Sequence, residues 1–144
     1  MTDDAVAGVN PREAEPRVQP RGMDALPEEW RATLEAIPGQ GLKGAGFPRH
    51  VLGTLMHGSE TLGRFLGYWV HGKPALSLSG REQELVILRM ACLYCSDYVW
   101  KHHVVVGREY GVTDAELAAI RDGSFEGVSS PRERVLLGLT DELV

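Results

Sequence analysis

SGREQELVILRMACLYCSDYVWKHHVVVGREYG, residues 79–111, is the stretch whose reading decides the fold. Ser79 and Glu82 make an S-x-x-E capping box, which starts a helix at Gly80. Unbroken, that helix would run about thirty residues to Tyr110, well beyond the roughly 8 to 20 usual for a globular domain. A break is therefore expected, and Tyr94-Cys95-Ser96-Asp97 is the best place for it. Ser96 is a good N-cap, Asp97 puts an acid in the first turn of the second half, and Gly111 closes that half as a left-handed residue. The most reactive residues of the chain then meet at a helix–helix junction. Backbone N–H groups lack partners there, and the positive end of a helix dipole can stabilise an anion.

Working outward, the rest of the chain reads as helix. Downstream, Thr113 with Glu116 makes a second capping box, and Ser130-Pro131-x-Glu133 makes a third, with proline at the first helical position. Upstream, Ser59 can cap an amphipathic helix that turns Leu62, Phe65, Leu66, Trp69 and Val70 inward and ends at Gly72 and Pro74. Val51, Leu52, Leu55 and Met56 repeat at helical spacing and stop at Gly58. Pro27 opens another helix through Trp30 to Ile37, before Pro38-Gly39. No segment alternates apolar and polar residues, so the expected class is all-α.

Composition sets the outer bounds. The 144 residues are 43% hydrophobic, 24% charged and 7% aromatic, which is ordinary for one globular domain. A net charge of −5 lacks the basic surplus of a protein that grips nucleic acid or anionic membranes, so neither is an expected partner. No apolar run approaches the roughly 18 residues of a membrane span, and no apolar leader follows a basic start, so a cytoplasmic protein is expected. Residues 1–22 hold three prolines, no aromatic residue and interleaved charges, and read as a disordered tail before a helical domain over 23–144. Gly39, Gly41, Gly44 and Gly46 do not match a phosphate-cradling pattern and read as a flexible or pocket-rim loop.

The chemistry concentrates around the junction. Glu84, Leu88, Ala91, Cys92 and Cys95 share one mostly apolar helix face. A carboxylate there is either partly desolvated, which raises its pKa and suits proton transfer, or a solvated acid favoured by the helix start. His102 and His103 lie on the next helix. Each is a structural histidine or a base, and adjacency guarantees that one points near the junction. Cys92 and Cys95 are a redox dithiol, a pair of core residues or part of a zinc site with a histidine; C-x2-C-x6-H-H is not a usual zinc spacing, and no metal is expected. Tyr98 and Trp100 point to different faces, each able to wall a pocket.

The string ELVILRMACLYCSDYVWKHHVVVGREYGVTDAELAAI, residues 84–120, resembles the carboxymuconolactone decarboxylase family, which includes the alkylhydroperoxidase D-like proteins. It is most similar to the branch whose junction reads like C-E-Y-E-W-A-H-H. TLMHGSETLGRFL, residues 54–66, and Trp30 within PEEW extend the resemblance to about residues 26–143. It implies an alkylhydroperoxidase D-like helical bundle, a homo-oligomer and a small-molecule substrate, with no cofactor. It also implies a further helical hairpin beyond residue 144 that this chain lacks, leaving Val135, Leu136 and Leu139 for a partner subunit to cover.

The family's pattern E-x11-C-x2-C-x3-H carries over from Glu84 onto Ser96, Val99 and His103. The resemblance thus implies a relay glutamate at Glu84 and a relay histidine at His103, with serine and valine where the redox cysteines stand. Cys92 and Cys95 sit four residues upstream of those positions. Serine at an unactivated pKa neither attacks peroxide nor forms a disulfide. A local shift at the break could still present the Cys95 sulfur to the same pocket. Three functions follow as expectations. The first is an acid/base lyase or isomerase using Glu84 and His103, with Ser96, Tyr98, Trp100 and His102 shaping the pocket. The second is a peroxiredoxin-type hydroperoxide reductase using Cys95 with Cys92, and the third a non-catalytic oligomer.

Overall fold

The computed structural model describes residues 17–35, 49–75, 77–128 and 130–144. The glycine loop over 39–46, the stretch Ile37–Gly39 and residues 1–16 of the tail lie outside that set. The described residues form seven α-helices and no strand: α1 (Glu28–Glu35), α2 (Arg49–Leu55), α3 (Ser59–Ala75), α4 (Gly80–Leu93), α5 (Asp97–Glu109), α6 (Asp114–Asp122) and α7 (Pro131–Glu142). Short 3₁₀ turns cover Met23–Ala25 and Phe125–Gly127. The all-α expectation is borne out.

Two apolar clusters organise the chain. Leu26, Leu34, Leu52, Met56, Leu62 and Leu66 bury against one another between α1, α2 and α3, with Phe65 and Trp69 half-buried beside them. The side chain of Val70 lies outside the described residues. The second cluster joins Leu85 and Leu88 of α4 to Leu117 and Ile120 of α6, Leu137 of α7, and Val112 and Val128 of the connecting turns. α4 is its spine, packing on α5, α6 and α7. Gly107 lets α5 approach closely, since a Cβ there would stand 3.3 Å from Leu88 Cδ1.

Local signals set most helix boundaries. The Ser79–Glu82 and Thr113–Glu116 boxes form in both directions. The third is half a box: the Ser130 hydroxyl accepts from the Glu133 N–H, but the Glu133 carboxylate turns away to Arg81. An arginine fork offers that carboxylate two charge-assisted bonds where the N-cap offers one N–H. Arg81 also donates to Glu116 and to the Gly111 carbonyl, so one guanidinium ties α4 to α6 and α7. Arg89 does the same further along α4, gripping Asp141 with two N–H groups and the Ile120 carbonyl with a third.

Three boundaries differ from the sequence reading. α3 continues through Gly72 and Pro74 to Ala75. A proline this close to a helix end removes one i→i−4 bond and leaves the preceding turns intact. α1 begins at Glu28, one residue after Pro27, whose carbonyl accepts from the Trp30 and Arg31 N–H groups. Ser59 is the first residue of α3 and does not precede it. Within the stretch that composition assigned to the tail, the Arg21 N–H donates to the Gly53 carbonyl, and His57 Nε2 lies 2.9 Å from the Gln19 carbonyl. A Cβ on Gly53 would come within 2.6 Å of the Arg21 carbonyl oxygen, so the glycine admits this segment against α2.

Candidate functional site

The break falls where the capping residues put it. α4 ends at Leu93, Tyr94 follows as C-cap, and Ser96 is the N-cap of α5. The Cys95 N–H donates to the Cys92 carbonyl and the Ser96 N–H to the Ala91 carbonyl, the paired bonds of a Schellman turn. That turn needs a left-handed residue. Cys95 supplies it with φ +50°, the only described non-glycine residue at positive φ. Gly111 and Gly123 fill the same place after α5 and α6, with φ +79° and +72°. The sequence therefore puts a cysteine at the turn between α4 and α5, where the turns after α5 and α6 use glycine.

Between α4 and α5, Glu84 is buried at 1% exposure, so the solvated reading of this acid is set aside. His103 Nδ1 stands 2.7 Å from Glu84 Oε2, joining residues nineteen apart on two helices. An ionised carboxylate only accepts, so Nδ1 then carries the shared hydrogen and Nε2 is the ring nitrogen left for other chemistry.

From His103 a row of rings leads outward. The His102 ring centroid lies 5.1 Å from that of His103, Tyr98 stacks on His102 at 6.3 Å, and His50 of α2 meets Tyr98 edge-on at 6.3 Å. Burial pushes the Tyr98 phenol up from its ordinary value, partly countered by the Val51 backbone N–H that the hydroxyl accepts. Tyr98 is thus fixed to both α5 and α2. Sequence reasoning missed His50, because a contact spanning 48 residues between two short helices leaves no mark in local periodicity.

The other predicted residues divide. The Ser96 hydroxyl makes no capping bond and has no hydrogen-bond partner among the described residues. Trp100 belongs to a different surface, a cavity between α5 and α6, where the Arg121 guanidinium lies 4.6 Å above its ring. Cys95 lies beyond the end of α4 and is exposed, so it leaves the face shared by Glu84, Leu88 and Ala91. Cys92 is half-buried against the second apolar cluster, and burial pushes its thiol up despite the nearby Arg89 and Arg121. Both cysteines are free, and neither sulfur hydrogen-bonds to Glu84 or His103. Among the described residues, no group of three His, Cys, Asp or Glu side chains is placed to hold a metal ion. No described helix is long and apolar enough to cross a membrane.

The sequence resemblance implied relay roles for Glu84 and His103, and the two side chains are in contact between α4 and α5. A family model described as the carboxymuconolactone decarboxylase family matches residues 60–142, which includes both residues. The chain belongs to the carboxymuconolactone decarboxylase family. No curated protein and no solved structure matches it. The matched span runs from α3 through α7, so the family's part of this chain holds the whole second cluster, the Glu84–His103 pair and both cysteines.

Proposed function

We propose that the chain is an acid/base enzyme of the decarboxylase or isomerase kind, acting on a small lactone carboxylate. The observation that carries this reading is the Glu84–His103 pair: a carboxylate buried at 1% exposure, 2.7 Å from an imidazole nitrogen. In a decarboxylation the C–C bond to the carboxylate breaks, CO2 leaves, and its electron pair passes into the conjugated lactone. Carbon must then be protonated. His103 Nε2–H delivers that proton, Glu84 stabilises the imidazolium through Nδ1–H, and solvent restores the proton afterwards. Isomerisation uses the same pair to remove a proton and return it. His102 and Tyr98 wall the approach to His103, and the Ser96 hydroxyl is available to a substrate oxygen.

The test is turnover of a panel of unsaturated γ-lactone acids, read as CO2 release or double-bond shift. His103→Ala and Glu84→Gln should each lower it by about two orders of magnitude or more, the usual worth of a positioned acid/base group. Turnover that survives both substitutions sinks the proposal, as does wild-type silence on the panel.

The exposed, left-handed Cys95 favours a second reading, a peroxiredoxin-type reductase that uses Cys95 with Cys92. It requires the two thiols to oxidise together when hydroperoxide is consumed. Against it, burial pushes the Cys92 thiol up, which disfavours the thiolate that attacks peroxide. Titration of free thiols after hydroperoxide, with Cys95→Ala as control, decides this reading. A third reading, an oligomer without chemistry, predicts that both assays stay silent. The homo-oligomer itself is part of the proposal, and light scattering reads it directly.

A further inference from the structure

Arginines in the α4–α7 bundle are spoken for, with one exception. Arg81, Arg89, Arg108 and Arg132 each hold a carboxylate, and Arg134 holds the Val128 carbonyl. Arg121 has no hydrogen-bonding or ion-pair partner among the described residues. Its guanidinium carbon lies 4.6 Å from the centroid of the Trp100 ring, at the cavity between α5 and α6. A cation–π contact uses none of the guanidinium N–H donors, so they remain available to a carboxylate, which an arginine fork can hold with two bonds.

The cavity suits such a guest. Its volume is about 460 Å³, within the range of small-molecule sites. Val104, Leu117, Ala118 and Trp100 are the apolar half of its lining. Of its other charges, Arg108 and Asp114 cancel in a 2.7 Å ion pair. Asp122 also reaches the lining, so a second negative charge on a guest is repelled while Arg121 attracts the first. These features select a flat, largely apolar monoanion and disfavour phosphates and dicarboxylates.

We propose that the α5–α6 cavity is a binding site for a small planar monocarboxylate, held at its charged end by Arg121 and along its body by Val104, Leu117 and Ala118. It does not rest on the acid/base reading of Glu84 and His103, which lie in the α4–α5 junction. The experiment is calorimetric titration of the full chain with sodium benzoate, and with benzamide as the neutral analogue of the same shape. Benzoate should bind saturably with one site per chain, and benzamide about tenfold or more weakly, as expected for loss of a charge-assisted pair. Arg121→Gln should weaken benzoate by a similar factor. Arg121→Lys, which keeps the charge and loses the fork, should weaken it severalfold and serves if the glutamine variant does not fold. Glu84→Gln should leave benzoate binding unchanged. Absence of saturable benzoate binding overturns the proposal. So does equal affinity in wild type and both Arg121 variants, or loss of binding in Glu84→Gln alone, which would move the ligand to the junction.

Discussion

Replacing Cys95 with glycine should make the protein more stable, although it removes a side chain and adds none. Cys95 holds φ +50° because the turn after α4 demands a left-handed residue there. For a residue with a Cβ that conformation costs about 1–2 kcal/mol. Glycine avoids the cost but gives back roughly 0.4–1 kcal/mol through its freer unfolded chain. The thiol is exposed and little packing is lost with it, so the net gain is about 0.5–1 kcal/mol. In a domain of this size that raises the melting midpoint by about 2–5 °C, measurable by circular dichroism at 222 nm. Gly111→Ala is the mirror experiment. It has φ +79° and nothing within 4 Å of an added Cβ, so its effect is purely conformational, a loss of about 1 kcal/mol. A Cys95→Gly variant that melts below wild type would refute the argument, as would a Gly111→Ala variant that melts at the wild-type temperature. The same substitution separates the two enzymatic readings: proton transfer by Glu84 and His103 continues without this thiol, whereas thiol-dependent peroxide reduction stops.

The bundle offers further tests. Arg81→Met leaves Glu116 and Glu133 buried without their cation and should cost about 2–4 kcal/mol in urea unfolding, a little under the value for a fully buried pair because Arg81 keeps 24% of its side chain exposed. Leu88→Ala empties a site of 0% exposure on the spine helix and should cost about 2–5 kcal/mol, most of it absent if the core refills. Two carboxyls should make the fold acid-sensitive. Glu82 is held below the ordinary carboxylate range by the Ser79 backbone N–H and by Arg132. Glu116 is pushed up by burial, but bonds from Arg81 and Thr113 outweigh that and bring it below the range as well. Both are lower in the folded than in the unfolded chain, so their stabilisation is complete above about pH 5 and drains away as pH falls through the folded values. The melting midpoint should be level from pH 7 to about 5 and fall below that; a rise on acidification would contradict the assignment.

What the sequence disclosed follows from which interactions are local. Capping is a matter of three or four residues, so Ser79, Thr113 and Ser96 announced the starts of α4, α6 and α5 correctly. The third box failed for a non-local reason, since Arg81 lies 52 residues from Glu133 and outbids the N-cap. Glu84 shows the same limit. Its helix face was legible, but its burial depends on where α5 lies against α4. His50 and Arg121 were invisible, because each takes its meaning from a ring on α5 that no short-range spacing reaches. The register from Glu84 to His103 came from the family pattern that the resemblance supplied, and the structure adds that the two side chains meet.

That register also sets the two cysteines four residues upstream of the family's cysteine positions, and it yields the last prediction. Cys92 lies in the final turn of α4, among carbonyls whose dipoles point negative charge at it, and is half-buried. Both effects favour the protonated thiol, and burial alone already pushes it up. Four residues on, Ser96 caps α5, where unpaired N–H groups and the positive end of the dipole favour an anion. A sulfur moved from one position to the other therefore passes from an environment that opposes the thiolate to one that supports it. Ser96→Cys, in a background of Cys92→Ala and Cys95→Ala, should titrate below the ordinary thiol value of about 8.5, followed by thiolate absorbance at 240 nm. Cys92, measured in Cys95→Ala, should titrate above that value. If the two thiols titrate together, the helix ends do not govern thiol reactivity at this junction, and the displaced register is no longer a reason to prefer proton transfer over peroxide reduction.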